Sequence, residues 1–321
     1  MTGKFAHVTD LSRGDWLRTM DTDSWSGVMS TVPPGFAAYA RVFHFVERER
    51  PSPGKTWQDY KRAASIEELE TLLTRERTTW AQTARSFGTT MHAAAQFHRL
   101  VRRTPYDTDE LDAPDGWHYS APEEGNLRED ALTTLAKVLA QHTTTPDAGI
   151  AAIWEGWGGL LDSQSSVTLT ATFGGEPSAQ AHESAITSGA QDSPMPLGQS
   201  SNGSGILPPE IAAGPRFSLF EDIGINYILF QVGVSDLVDP TWPKRAPWAG
   251  KDQFWIQSPS ILWPDDHTWT LATDIDSDST LVAGSVELIN ELLGTPGIEA
   301  LSISPHADLS WAGDTVNPSV G

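Results

Sequence analysis

Apolar positions along the chain follow two periods, one of about two residues and one between three and four. The first half opens with a short helical stretch, "DLSRGDWLRTM". A Pro-Pro-Gly turn follows in "VPPGFAAYARVFHFVERE", where Phe36, Tyr39, Val42, Phe43 and Phe45 supply apolar bulk and "YARVFHFVE" patterns as a buried strand. Ser65, with Glu68 three residues on, forms a capping box for a helix lined by Leu69, Leu72 and Leu73. "TTWAQTARSFG" predicts a second helix ending at Gly88, and "MHAAAQFHRLVRR" a third ending before Pro105. Asn126 is placed to cap the next helix, with Glu129 at its third position and an apolar stripe of Leu132, Leu135, Ala136 and Leu139. "GIAAIWEGWGGLL" then predicts a buried strand running into a Gly-rich turn at 156–159.

In the second half, "VTLTATF" (167–173) and "INYILFQVGV" pattern as strands. "HTWTLATDID" alternates, with Trp269, Leu271, Thr273 and Ile275 on one face. "TLVAGS" follows a short polar turn, which is a hairpin pattern. Ser285 caps "VELINELL", which stops at Gly294, and "IEALSIS" makes a last strand. Helices and strands intersperse without strict alternation. The expected class is therefore α+β, a mixed or largely antiparallel sheet with helices packed mainly on one face. Three stretches divide the chain: an α+β region over 1–162, a Ser/Gly/Pro-rich segment over 163–215 with a flexible insertion near 178–205, and a hairpin–helix–strand region over 216–321 that completes the same fold unit.

Charge changes the picture. The 321 residues carry a formal net charge of −21. Residues 1–150 hold 21 acidic and 17 basic side chains, whereas 151–321 hold 21 acidic and 4 basic. Direct phosphate contact with nucleic acid needs clustered Lys and Arg, so the second half disfavours it. Its field favours a basic protein partner, although Asp and Glu also serve solubility alone. With no Cys in the sequence, disulfides, thiolate zinc sites and thiol nucleophiles are excluded. No apolar run is long enough to span a membrane, and the N-terminal residues lack a signal-peptide pattern; the expected compartment is cytoplasmic.

Strong catalytic fingerprints are absent: no phosphate loop, no dinucleotide-binding glycine motif, no nucleophile elbow. "HESAI" at His182 begins like a zinc-protease motif but has Ile186 where the second His belongs. Asp274, Asp276 and Asp278 start like a calcium loop. Ser279 and Ser285 occupy the places of its Gly and Glu, which leaves at most a looser divalent-cation site. "WPDDH" sets Asp265, Asp266 and His267 between Trp263 and Trp269. A carboxylate beside an imidazole suits general-base, metal or binding chemistry, while Pro and Asp equally suit an ordinary turn with the two Trp as anchors.

"VPPGFAAYARVFH", "IWEGWG" and "WPDDHTWTLATDIDSDSTLVAGS" together resemble an actinobacterial protein family with no established activity. The resemblance covers most of the chain outside the insertion. It implies a cytoplasmic origin and a single recurring fold unit, and it lends no catalytic residues. The expected function is a non-catalytic binding protein of immunity or regulatory type, with no cofactor. The candidate binding residues are Trp263, Asp265, Asp266, His267 and Trp269. The alternatives are a metal-assisted enzyme using Asp265, His267 and the Asp274/Asp276/Asp278 group, and a DNA mimic with carboxylates at phosphate-like spacing.

Overall fold

The computed structural model describes residues 4–20, 26–62, 71–105, 107, 111–161, 205–220, 224–249 and 256–319. The expected helix cap at Ser65, the strand at 167–173, the "HESAI" stretch and the insertion near 178–205 lie outside these. The architecture is α+β, and every described strand pairing is antiparallel.

In chain order the strands are β1 (Ala6–Val8), β2 (Ala38–Phe43), β3 (Val46–Pro51), β4 (Leu73–Thr78), β5 (Leu111–Asp112), β6 (His118–Ser120) and β7 (Gly149–Trp154). They continue as β8 (Phe217–Phe220), β9 (Ile225–Gln231), β10 (Ile261–Pro264), β11 (Thr270–Ala272), β12 (Ser279–Gly284) and β13 (Glu299–Ser302). One nine-stranded sheet runs β1-β9-β7-β10-β11-β12-β2-β13, with β8 also on β9; a second sheet of four strands runs β4-β3-β6-β5. The large sheet thus interleaves strands from both halves of the sequence.

Two apolar layers sandwich the large sheet. On one face lie the helices Glu129–Leu139 and Val286–Leu293, whose Leu132, Leu135, Leu288 and Leu292 are fully buried against Val42, Ile153, Phe230, Leu271 and Val282. The other face carries Tyr39, Ala152, Trp154, Tyr227, Leu281 and Trp263. It is covered by the 3-10 helix Leu11–Thr19 through Leu17, and by Val28 and Ile303. Ser285 caps its helix as the pattern predicts, accepting from Leu288 N at 3.1 Å. Gly88 ends the helix Trp80–Phe87 in the left-handed region, at φ 66°.

Three local expectations are corrected. "YARVFHFVE" is not one strand: it breaks at His44–Phe45, and β2 and β3 belong to different sheets. The break is held by Trp80 Nε1 donating to His44 O at 3.0 Å, which places a third core, around Trp80, Phe97 and Tyr119, beneath the small sheet. "MHAAAQFHRLVRR" is helical only over Phe97–Leu100. Asn126 does not cap the helix at Glu129. Its amide instead ties together Glu123 Oε1, Ile256 O and Ser258 N, at 2.7, 3.2 and 2.8 Å, because residues 256–258 offer otherwise unpaired backbone groups beside it.

Leu161 and Gly205 flank the gap in the described residues. Across it, Ile206 N donates to Gly159 O and Leu207 N to Leu160 O, at 2.8 and 3.0 Å.

Candidate functional site

Two acidic turns border β11. The first is Pro264–His267, closed by His267 N donating to Pro264 O at 3.0 Å. Asp265 and His267 both face the 3-10 helix Leu11–Thr19. Asp265 pairs with Arg13, and the His267 ring stacks on Trp16 at 4.3 Å between centroids and 17° between planes. His267 takes a left-handed backbone, φ 53°, to do so. Burial pulls its pKa down, against the pull of Asp265 and Asp266.

Asp266 points the other way. Its carboxylate accepts from Thr143 Oγ1 at 2.9 Å, from Thr144 N and Oγ1 at 2.7 Å each, and from Thr268 Oγ1 at 2.8 Å. Burial alone raises its pKa, but these donors outweigh it and hold the carboxyl well below the usual carboxylate range. The flanking Trp residues enter opposite layers: Trp263 is 1% exposed on the 3-10 side, and Trp269 is 0% exposed on the helix side with Nε1 donating to Leu139 O. The five candidate residues therefore each make structural contacts, while Trp263 Nε1, shielded from solvent, meets no acceptor among the described residues.

The second turn, 274–278, lies at the opposite end of β11. Its chain is orderly, with Asp276 N donating to Asp274 Oδ1 at 3.1 Å and Ser277 N to Asp274 O at 3.0 Å. Against it lies the loop 123–126. Gly125 N donates to Ser277 O at 2.9 Å, and a Cβ at Gly125 would stand 2.4 Å from Ile275 O and 3.0 Å from the Trp157 ring. With φ at 69° as well, position 125 needs glycine for the two segments to meet. Glu123 O is pinned by His44 Nδ1 at 2.6 Å, and the other His44 nitrogen meets Thr280 Oγ1 at 2.9 Å. His44 is thus a satisfied buried histidine, and burial drops its pKa to about 4.

This packing brings Glu124 within reach of the charges of Asp276 and Asp278. Burial, then the charges of Asp278 and Asp276, push Glu124 up to about 7. Burial pushes Asp274 up to about 6, with the Asp276 charge adding and the Asp276 N–H opposing. Glu124, Asp274 and Asp276 are all exposed by surface area, and water there offsets much of the rise. Asp276 is raised by burial, and Asp278 likewise despite its pairing with Arg41 at 3.2 Å. Arg41 is 2% exposed and already donates to Ser279 Oγ, Ala93 O and Ala95 O, so its guanidinium is committed inward. Among the described residues, no Lys, Arg or His lies within ion-pair distance of Glu124, Asp274 or Asp276.

Beside the carboxylates stand aromatic rings from β7 and β9. Trp154 faces Tyr227 across the β7–β9 pairing and meets Trp157 edge to face at 5.4 Å and 80°. Burial, reinforced by the Asp274 charge, holds the Tyr227 phenol well above its usual pKa. Sequence reading singled out the three aspartates, and Trp157 only as a core or turn anchor, but not Glu124, Gly125 or Tyr227. They come from segments up to a hundred residues apart in the chain, and only the Gly in "EEGN" and the "GWGG" run hinted at close backbone approach.

Asp265 and His267 do not join the Asp274/Asp276/Asp278 group, since β11 separates them. Among the described residues, no set of three or more His, Asp or Glu side chains is arranged to hold a metal ion. His92 lies elsewhere, with Nε2 bonded to the buried Asp314 at 2.8 Å. No described helix is long and apolar enough to cross a membrane. No protein-family model matches the chain, and neither a curated protein nor a solved structure is significantly similar to it.

Proposed function

We propose that this is a non-catalytic binding protein of the cytoplasm that takes a basic segment of a protein partner on the carboxylate rim Glu124, Asp274, Asp276 and Asp278. One observation carries the reading: Glu124, Asp274 and Asp276, on two segments joined by the Gly125 N–Ser277 O bond, pair with no cation among the described residues, while Asp278 beside them is matched by the buried Arg41. Like charges held together raise one another's pKa, and an incoming cation relieves that repulsion. The metal-assisted alternative calls for Asp265 and His267 at the same centre, and they stand at the other end of β11.

Titration with a Lys/Arg-rich decapeptide, at low and at physiological salt, tests the reading. The double variant Glu124→Gln/Asp276→Asn is expected to weaken binding about three- to tenfold. A control of equal charge change, Asp107→Asn/Asp112→Asn on the small-sheet side, is expected to leave it unchanged. Equal losses from both would reduce the effect to net charge and overturn the proposal.

A further inference from the structure

The large sheet ends in an open edge at β13. Every residue of the inner strand β12 is buried, whereas Glu299, Ala300 and Leu301 of β13 are half-buried and Ser302 is exposed. Alternate residues of an antiparallel strand bond to opposite sides. The odd residues of β2 bond toward β13, as Ile303 N donating to Tyr39 O at 3.0 Å shows; the even ones bond toward β12, as His44 N donating to Asp278 O at 3.1 Å shows. The N–H and C=O of Ala300 and Ser302 therefore point away from β2, and β13 pairs with no other described strand. Above this edge the helix Val286–Leu293 packs over β2 and β13. Its Glu291 pairs with His142 at 2.8 Å, just past the neighbouring helix Glu129–Leu139, and Glu287 lies within charge range of the same His142. At about 100° per residue, Val286 and Leu293 fall on the opposite flank, toward the β13 edge, where they are 47% and 37% exposed. In a chain of net charge −21 that flank, Val286, Ile289, Asn290 and Leu293, carries no charge. The Glu299 carboxylate is turned to the other face of the sheet, where it accepts from Ala81 N at 2.8 Å and from Trp80 N.

We propose that a second copy of this chain docks on β13, joining two large sheets into one across a two-fold axis at Leu301. Such an axis, perpendicular to the sheet, makes the joined strands antiparallel and keeps each side chain on its own face. Centred on Leu301, it sets Ala300 opposite Ser302 of the second copy, and each such pair exchanges both of its backbone hydrogen bonds. Moving the axis to Ala300 would instead call on Ile298 N, which already donates to Thr295 O at 3.3 Å. The same axis brings the two copies of the helix Val286–Leu293 together antiparallel, Val286 of one toward Leu293 of the other, and removes from water the apolar groups that the monomer exposes. Edge strands are ordinarily blocked by Pro, Lys or a bulge, and Glu299–Ser302 has none of these. A second copy thus matches the edge in strand direction, in hydrogen-bonding parity and in freedom from like charge. The interface uses no residue of the carboxylate rim.

Sedimentation velocity of the full chain over about 2–200 μM, at physiological salt to screen the net charge, tests this. The chain is expected to pass from monomer to dimer across that range. Ser302→Pro removes an N–H that faces away from β2, so the β2–β13 ladder stays whole, and it is expected to weaken the dimer about tenfold or more. Leu293→Lys puts a cation at a helix C-terminus, which suits the monomer, and charges the flank that meets the second copy; it is expected to weaken the dimer about tenfold. Both variants are expected to melt like the parent at the lowest concentration. Should Ser302→Pro fail to fold, Leu293→Lys, at a position exposed in the monomer, decides alone. A parent chain that stays monomeric throughout overturns the proposal and leaves another protein's strand as the occupant to seek. A dimer that neither variant weakens overturns it as well.

Discussion

The turns 264–267 and 274–278 share one strand, similar composition and opposite electrostatics. In the first, Asp266 is surrounded by donors from three threonines and Asp265 is matched by Arg13. In the second, Asp276 stands within charge range of both Asp274 and Glu124, and the Asp276 N–H on Asp274 is the relief shown. A carboxylate count is identical evidence for both. What separates them is where donors fall: a Thr run ends the helix beside the first turn, whereas another acidic loop abuts the second. The acidic residues that stabilise this fold are found among donors, and those proposed to meet a partner are found among one another.

Substitution breaks the symmetry most sharply at Asp266. Asp266→Ala strands the Thr143, Thr144 and Thr268 donors and is expected to lower unfolding free energy by about 2 kcal/mol in urea denaturation. Asp276→Asn removes a repelling charge and is expected to leave stability unchanged or slightly higher in the same assay. A loss at Asp276 as large as that at Asp266 would erase the distinction.

The turns also carry opposite pH signs. Glu124 and Asp274 have pKa values raised in the fold, so their contribution is full below their unfolded values and is lost as pH rises through about 7 and about 6. Asp266 has a lowered pKa, so its contribution is present above the unfolded value and is lost as pH falls through the folded one. Relative to the parent chain, Glu124→Gln is therefore expected to gain stability between about pH 5 and pH 8, and the deficit of Asp266→Asn to shrink below about pH 4. Thermal unfolding across that range checks both signs. The smallest effect is expected at His267. His267→Asn loses the stack on Trp16 but tolerates the left-handed backbone, at a cost of about 0.5–1 kcal/mol, measurable as a small drop in Tm.

Much of the fold was legible where local chemistry decides. The Gly88 stop, the Ser285 cap, the all-buried β7 and the β11–β12 hairpin follow from propensity and pattern, as does the stripe Leu132–Leu139. The break at His44–Phe45 was not legible, because the apolar run continues through it and only Trp80, thirty-odd residues away, fixes the corner. Asn126 misled because a capping residue and a loop-pinning residue look alike until residues 256–258 arrive beside it. The rim was half legible: Asp274, Asp276 and Asp278 are evident in order, but strand order β9-β7-β10-β11 brings Tyr227, Trp157 and Glu124 to them, and no local period encodes that order.

The paired backbone bonds Gly159–Ile206 and Leu160–Leu207 have a topological consequence. The described chain leaves at Leu161 and returns at Gly205 side by side, through one doorway. A short Gly-Ser bridge spans ends this close, and since closing entropy grows only logarithmically with length, replacing residues 162–204 by one is expected to alter unfolding free energy by only about 1–2 kcal/mol. The same doorway is the natural place to open the chain into new termini, or to graft a reporter domain, while the large sheet stays intact.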